Sequence, residues 1–210
     1  MADARTALRR SLRWARNTVH DLAPLRATVG RPVDGQVPPP PRAFARFGDG
    51  SWIVPAALVQ NPQRVAIGDR VVVLEHASLV VLEGGSTPPV LTVGDDVRLA
   101  RFNAIVCGSA PVVLGAGVAS SDSATILGTW REAFGPTGLP LPDDAPVIVG
   151  KGAYLGCNSV VWPGVTIGDG AYVGEGSVVI DDVPAHCVVY GNPATVVRSY
   201  DVVREAWRRP

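Results

Sequence analysis

Residues 149–184, cut into sixes, read VGKGAY, LGCNSV, VWPGVT, IGDGAY, VGEGSV and VIDDVP. The first position of every six is aliphatic (Val149, Leu155, Val161, Ile167, Val173, Val179). The fifth is small or β-branched (Ala153, Ser159, Val165, Ala171, Ser177, Val183), and glycine follows the aliphatic residue in four of the six. A fixed short period marks a solenoid, whose units cannot bury an apolar face alone and must stack on their neighbours. An amphipathic helix does not repeat at six, and this density of Gly and Val opposes one.

Working outward, the sixes resume upstream. FGDGSW and IVPAAL begin at Phe47 and Ile53, before a ragged segment near Val59. IGDRVV, VLEHAS and LVVLEG begin at Ile67, Val73 and Leu79, and an insertion, Gly84 to Val90, interrupts. VGDDVR, LARFNA and IVCGSA begin at Val93, Leu99 and Ile105, and LGAGVA, SSDSAT and ILGTWR at Leu114, Ser120 and Ile126. A loop of about twenty residues, Leu127 to Pro146, then precedes the clean stretch. Three sixes per turn give a triangular coil. Unstructured loops longer than about 12–15 residues are usually functional or disordered.

Outside the sixes, residues 4–22 predict an amphipathic helix, with Leu8, Leu12, Ala15, Val19 and Leu22 at helical spacing among five arginines. Its apolar stripe suits packing on the solenoid or a sister subunit, where it would cover the open first coil. Its arginines also suit peripheral contact with an anionic membrane surface or a lipid-linked substrate. Gly30 to Pro41 reads as a linker. The tail, 199–210, with Val202, Val203, Ala206 and Trp207, predicts a short amphipathic helix. The expected organisation is therefore helix plus linker over 1–46, solenoid over 47–198 with the loop at 127–146, and a terminal helix over 199–210.

Composition agrees with a large β-rich domain carrying appendages. Gly 23 and Pro 19, against four Phe and four Tyr, suit short strands and tight turns. The formal net charge of zero provides no global field for nucleic acid, and no nucleic-acid partner is expected. Cys107, Cys157 and Cys187 are too few and too scattered for a disulfide framework or a zinc motif. With no signal-peptide pattern and no bilayer-length apolar run, the expected location is cytoplasmic.

The pattern of aliphatic, Gly and small residues in threes of six resembles the left-handed parallel β-helix acyltransferases, or hexapeptide-repeat family, over roughly Phe47 to Arg198. Residues 161–198, VWPGVTIGDGAYVGEGSVVIDDVPAHCVVYGNPATVVR, are similar to the C-terminal signature of the galactoside, maltose and polysaccharide O-acetyltransferases, which ends in Gly-Asn-Pro-Ala-x-x-x-Arg. The resemblance implies an all-β left-handed helix; crossover rules alone would favour the right hand. It also implies a homotrimer with active sites between neighbouring subunits. The implied co-substrate is acetyl-CoA or another acyl-CoA, without a metal, and the implied acceptor is a sugar or glycan hydroxyl, an amine being the lesser alternative.

Carried over by position, Gly156, Cys157, Glu175, Gly176 and Ser177 would line the CoA path, Pro193 would pack near adenine, and Arg198 would meet a phosphate. Missing Cβ atoms let a ligand approach backbone closely, although glycines also shape turns. Where the family often has Thr-Lys-Asp before Val-Pro, this chain has Ile180, Asp181 and Asp182. The family's direct transfer uses a histidine to take the acceptor proton, in the last six before the long loop. Here that six is Ile126 to Arg131, and no histidine lies between His76 and His186. Candidate substitutes are His76, in register with Phe102, and Asp122, or Glu132, with Asn103 matching the family's acceptor-site asparagine. Carboxylates with ordinary pKa values near 4 are weak bases toward a hydroxyl. Thr129, Trp130 and Phe134 would shape an acceptor pocket. The competing expectation is a catalytically silent trimeric β-helix that binds or scaffolds.

Overall fold

The aliphatic first positions of the sixes stack into three ladders, one for each side of a triangular coil. A computed structural model describes residues 38–82, 90–130 and 143–209, and within these the chain winds through six coils of three short strands. On the first side Phe47, Ile67, Val93, Leu114, Val149 and Ile167 are partners in parallel register. On the third side the ladder is Val59, Leu79, Ile105, Ile126, Val161 and Val179. The second side carries Ile53, Val73 and Leu99 below, and Ser120, Leu155, Val173 and Val189 above. Apart from Ile53, which is 5% exposed, the leucines and isoleucines of these ladders are fully buried. Each such side chain removed from water contributes about 1.5–3 kcal/mol, which is why the sixes hold their register.

Between strands the chain turns a corner within each six. The fourth position is left-handed at these turns: Gly50, Gly117, Gly152, Gly164, Gly170 and Gly176, but also Ala56, Arg70, His76, Asp96, Phe102, Ser123 and Asn158. The left-handed conformation crowds Cβ against the following carbonyl, at a cost of about 1–2 kcal/mol for a non-glycine residue. Stacking of neighbouring coils holds the turn whichever residue occupies it.

The ends depart from the sequence reading. At the first coil, a 3₁₀ turn over Pro41–Ala43 brings buried Phe44 onto Phe47, ring centroids 5.1 Å apart. The helix expected over 4–22 and most of the linker lie outside the described residues, as do residues 83–89 of the insertion. At the other end no terminal helix forms. Cys187–Gly191 continues the second sheet, and Ala194–Asp201 and Ala206–Arg208 return antiparallel, extending that sheet to nine strands. The valines that suggested a helical face, Val202 and Val203, lie in the hairpin turn, where the Asp201 carboxylate accepts the Val203 and Arg204 N–H groups. Tyr200 meets Trp207 across the hairpin at 5.1 Å. Cross-strand pairing and this carboxylate-closed turn overrode a short helical pattern. Among the described residues there is no α-helix, and no helix long and apolar enough to cross a membrane. The long excursion also leaves later than the sixes suggest, because Leu127 and Gly128 still pair with Val106 and Cys107.

Candidate functional site

Most of the candidate residues fall on one edge of the triangle, the corner between the second and third sheets. Backbone bonds stack its turns in order: Phe102 N–H to Glu75 O at 3.4 Å, Ser123 N–H to Arg101 O at 2.9 Å, Asn158 N–H to Asp122 O at 3.2 Å, and Gly176 N–H to Cys157 O at 2.8 Å. His76, Asn103, Asp122, Gly156, Cys157, Glu175, Gly176 and Ser177 thus line successive layers, about 4.8 Å apart. Pro193 sits in the hairpin turn above them, where the Gly191 N–H donates to Ser177 Oγ at 3.2 Å. Arg198 lies on the return strand opposite Val188, its Nη1 donating to Val197 O at 2.9 Å. Thr129 and Trp130 stand elsewhere, on the corner between the third and first sheets. Phe134 and Glu132 lie outside the described residues.

The three candidate catalytic side chains differ sharply in setting. Asn103 occupies a fifth position and is 3% exposed. Its Nδ2 donates to the carbonyls of Ala100 (3.1 Å), Arg101 (3.3 Å) and Ser121 (2.8 Å), closing two adjacent turns from inside. Asp122 accepts from the Arg101 N–H at 3.1 Å and guanidinium at 3.0 Å, a partly exposed ion pair. His76 is exposed, left-handed at φ 60°, and lies parallel to Phe102, centroids 5.1 Å apart at 8°. Cysteine chemistry is disfavoured in the core: burial pushes the Cys107 thiol up to about 12 and raises that of Cys187. Cys157 is half-buried on the edge itself.

Above Asp122 the edge is walled by tyrosines that the sixes did not flag, although Tyr154, Tyr172 and Tyr190 recur every eighteen residues, one coil apart. Tyr154 and Tyr172 stack at 4.9 Å and 15°, and the Tyr154 hydroxyl lies 2.6 Å from Ser121 Oγ. The Tyr172 and Tyr190 hydroxyls donate to the two oxygens of Glu175 at 2.8 and 2.9 Å. The Glu175 N–H, then these two phenols, hold its carboxyl below the usual range. Burial, and then Glu175, push the Tyr172 phenol up. Gly174 is required here, because a Cβ would run into the Tyr190 ring. Asp182, one residue after the position of the expected lysine (Asp181), accepts the Thr166 N–H at 2.7 Å and so caps a strand.

The opposite corner carries a network invisible in the sequence. The Asp144 carboxylate accepts from Ser109 N–H (2.8 Å), Ser109 Oγ (2.9 Å) and Trp130 N–H (3.3 Å), tying together both described ends of the long loop. Partial burial raises its pKa, but bonds from the Ser109 N–H, the Thr129 and Ser109 hydroxyls and the Trp130 N–H outweigh this and hold it low. Trp130 meets Trp162 edge-on at 5.3 Å. Among the described residues no group of three or more His, Cys, Asp or Glu could hold a metal.

The coils have counterparts among known proteins. The profile of the bacterial transferase hexapeptide family (six repeats) matches residues 146–181. The putative colanic acid biosynthesis acetyltransferase WcaF of Escherichia coli is 36% identical over 154 residues, covering 73% of this chain and 69% of the relative. The chain therefore belongs to the hexapeptide-repeat acetyltransferase family. A 2,3,4,5-tetrahydropyridine-2,6-dicarboxylate N-acetyltransferase of Enterococcus faecalis is 42% identical over 60 residues, 29% of this chain, which spans only 26% of that protein. Among solved structures, a point mutant of AntD, an N-acyltransferase from Bacillus cereus, in complex with dTDP-4-amino-4,6-dideoxyglucose and coenzyme A, superposes with a TM-score of 0.64. At 20% identity, over 75% of this chain and 84% of that one, it is similar in fold alone.

Proposed function

We propose that this chain transfers an acyl group, acetyl being the first expectation, from acyl-CoA directly to a hydroxyl, or secondarily an amine, of a sugar or glycan precursor. The observation that carries this reading is the 36% identity shared with the putative colanic acid acetyltransferase across most of both chains. The AntD complex, with coenzyme A and a dideoxyaminoglucose nucleotide in one structure, supports an acceptor of the sugar-nucleotide kind. The working form is a cytoplasmic homotrimer of left-handed helices that modifies polysaccharide building blocks, with the N-terminal segment available for peripheral membrane contact.

On this reading the donor lies along the edge. Gly156 and Gly176 let it approach backbone, Cys157, Glu175 and Ser177 line its path, Pro193 flanks the adenine, and Arg198 turns to a phosphate. The acceptor oxygen attacks the thioester carbonyl carbon and the C–S bond breaks. The acceptor proton passes to a side chain on the same edge and then to the departing CoA thiolate. His76 and Asp122 are the candidates to take it, while Asn103 holds the turn between them. Thr129, Trp130 and Phe134 serve as acceptor-facing residues of the neighbouring corner.

Calorimetry with acetyl-CoA tests the donor half, and absence of binding at millimolar concentration would sink it. Thiol release with a panel of sugars and sugar nucleotides tests the transfer, comparing wild type with His76→Ala and Asp122→Asn. Turnover untouched by both changes rejects both bases. The scaffold reading stays in view because the chain has no histidine between His76 and His186 and Asp122 is paired to Arg101. Acetyl-CoA binding without turnover on any acceptor would favour it.

A further inference from the structure

The fourth positions along the candidate edge run Ala56, His76, Phe102, Ser123, Asn158 and Gly176, so two rings are bracketed by small or short side chains. Both ring-bearing residues sit at the left-handed fourth position that these turns share, with φ 60° for His76 and 58° for Phe102. Phe102 remains 56% exposed. His76 backs one face of its ring, parallel at 5.1 Å, which leaves the other face toward the layer of Ser123. Arg101, the residue before Phe102, pairs its guanidinium with the Asp122 carboxylate of that next layer at 3.0 Å.

We infer that Phe102, backed by His76, is the platform on which the acceptor's pyranose ring lies, with vicinal hydroxyls bridging Arg101 and Asp122. This deepens the sugar-acceptor reading and rests on it. The face of an aromatic ring is electronegative and attracts the slightly positive C–H groups of a sugar's apolar face. A cation and an anion held side by side offer one charge-assisted donor and one acceptor, the complement of two neighbouring hydroxyls. A nucleobase can stack on Phe102 and pair its edge with the same rim, so thymidine enters the test as the competing ligand. The platform stands two layers from Cys157 and three from Gly176, on the side away from Pro193, so donor and acceptor would meet near Asp122. His76 in this arrangement supports the ring from behind, which leaves Asp122 as the base candidate on the acceptor side.

The decisive variant is Phe102→Gly, because glycine relaxes a left-handed turn and so removes the ring without burdening the fold. Saturation-transfer NMR on the full chain, with methyl gluco-, galacto-, manno- and fucopyranosides and with thymidine as probes, reports contact. Acetyl-CoA calorimetry and sedimentation are run in parallel. The expected result is that at least one glycoside binds wild type, binding falls about tenfold or more in Phe102→Gly, and Phe102→Tyr and His76→Phe retain it. Glycoside binding undiminished in Phe102→Gly overturns the platform, as does thymidine binding without any glycoside. Dissociation of the oligomer by Phe102→Gly overturns it too, making the ring a subunit contact. Wild type that binds acetyl-CoA but no glycoside overturns the platform alone. Wild type that binds neither overturns the transferase reading beneath it.

Discussion

Two glycines of the donor edge separate the demands of the fold from those of a ligand. A Cβ on Gly156 would lie 2.7 Å from the Glu175 N atom and 2.8 Å from Val173 O, rigid backbone of the next coil. Gly176 has φ +67°, and a Cβ there would meet nothing within 4 Å. Gly156→Ala must therefore wedge two coils apart, an overpacking cost of about 3 kcal/mol. Gly176→Ala carries only the left-handed penalty, about 1 kcal/mol. At roughly 2–4 °C per kcal/mol for a chain of this size, the melting point should fall by about 6–12 °C for the first and about 2–4 °C for the second. Acetyl-CoA affinity reverses the expectation. Gly176 faces open space where the donor is proposed to lie, so its methyl should weaken binding about tenfold, or ~1.4 kcal/mol, in a protein that is nearly as stable as wild type. Gly176→Asn, with a side chain that tolerates the left-handed region, should keep stability and still weaken binding. Equal destabilisation by both alanines would refute the packing argument, and unchanged acetyl-CoA affinity in Gly176→Ala would refute the proposed donor path.

Other expectations follow from single contacts. Asp144→Asn should cost about 1–2 kcal/mol, since the bonds from Ser109 and Trp130 lose their charged acceptor. Because its folded pKa is lowered, that contribution is present above the ordinary value of 3.8 and lost as pH falls through the folded value. Melting curves of variant and wild type should therefore differ at pH 7 and converge below pH ~3.8; a gap that persists there contradicts the carboxylate's role. Ile167→Ala, at a fully buried ladder position, should cost about 2–5 kcal/mol by denaturant titration. A loss below about 1 kcal/mol would mean that the coil interior collapses around the cavity.

How much of this was legible in the sequence follows from what each residue has to satisfy. The ladders were legible because an aliphatic side chain must face inward once per six residues, from Val149 to Val179 and back to Phe47. Turn positions were legible only where glycine filled them. Arg70, His76 and Phe102 adopt the same left-handed turn, held there by stacking that composition does not reveal. The donor residues fall on one edge because they share positions two to five of the sixes on that side. Thr129 and Trp130, expected in an acceptor pocket, turn a different corner of the triangle from these residues. Asp144 meets Ser109 across 35 residues of sequence, a contact no local pattern encodes. The tail misled because a two-residue valine step reads equally as a helical face and as the turn of a hairpin.

The edge is graded along its length, and the gradient bears on the missing histidine. Toward the hairpin its layers carry Gly156, Gly174 and Gly176, where backbone is accessible or packed directly by tyrosine. Toward the first coil they carry His76 and Phe102, rings raised at a backbone cost. Asp122 lies between, at the layer where a donor running down the glycines and an acceptor lying on the rings would come together. Its carboxylate is already engaged by Arg101, through the backbone N–H at 3.1 Å and the guanidinium at 3.0 Å. That same pair is well suited to orient a hydroxyl, and orientation of bound reactants can itself supply several kcal/mol of the barrier. An amine acceptor in its neutral form depends least on a base, being already nucleophilic, whereas a hydroxyl acceptor relies on that orientation and on the group that takes its proton. Comparing turnover of an amino sugar with that of its hydroxyl counterpart, in wild type and Asp122→Asn, therefore addresses acceptor class and the role of Asp122 together. A hydroxyl sugar turned over faster, with Asp122→Asn abolishing only that activity, would return Asp122 to the place of the base.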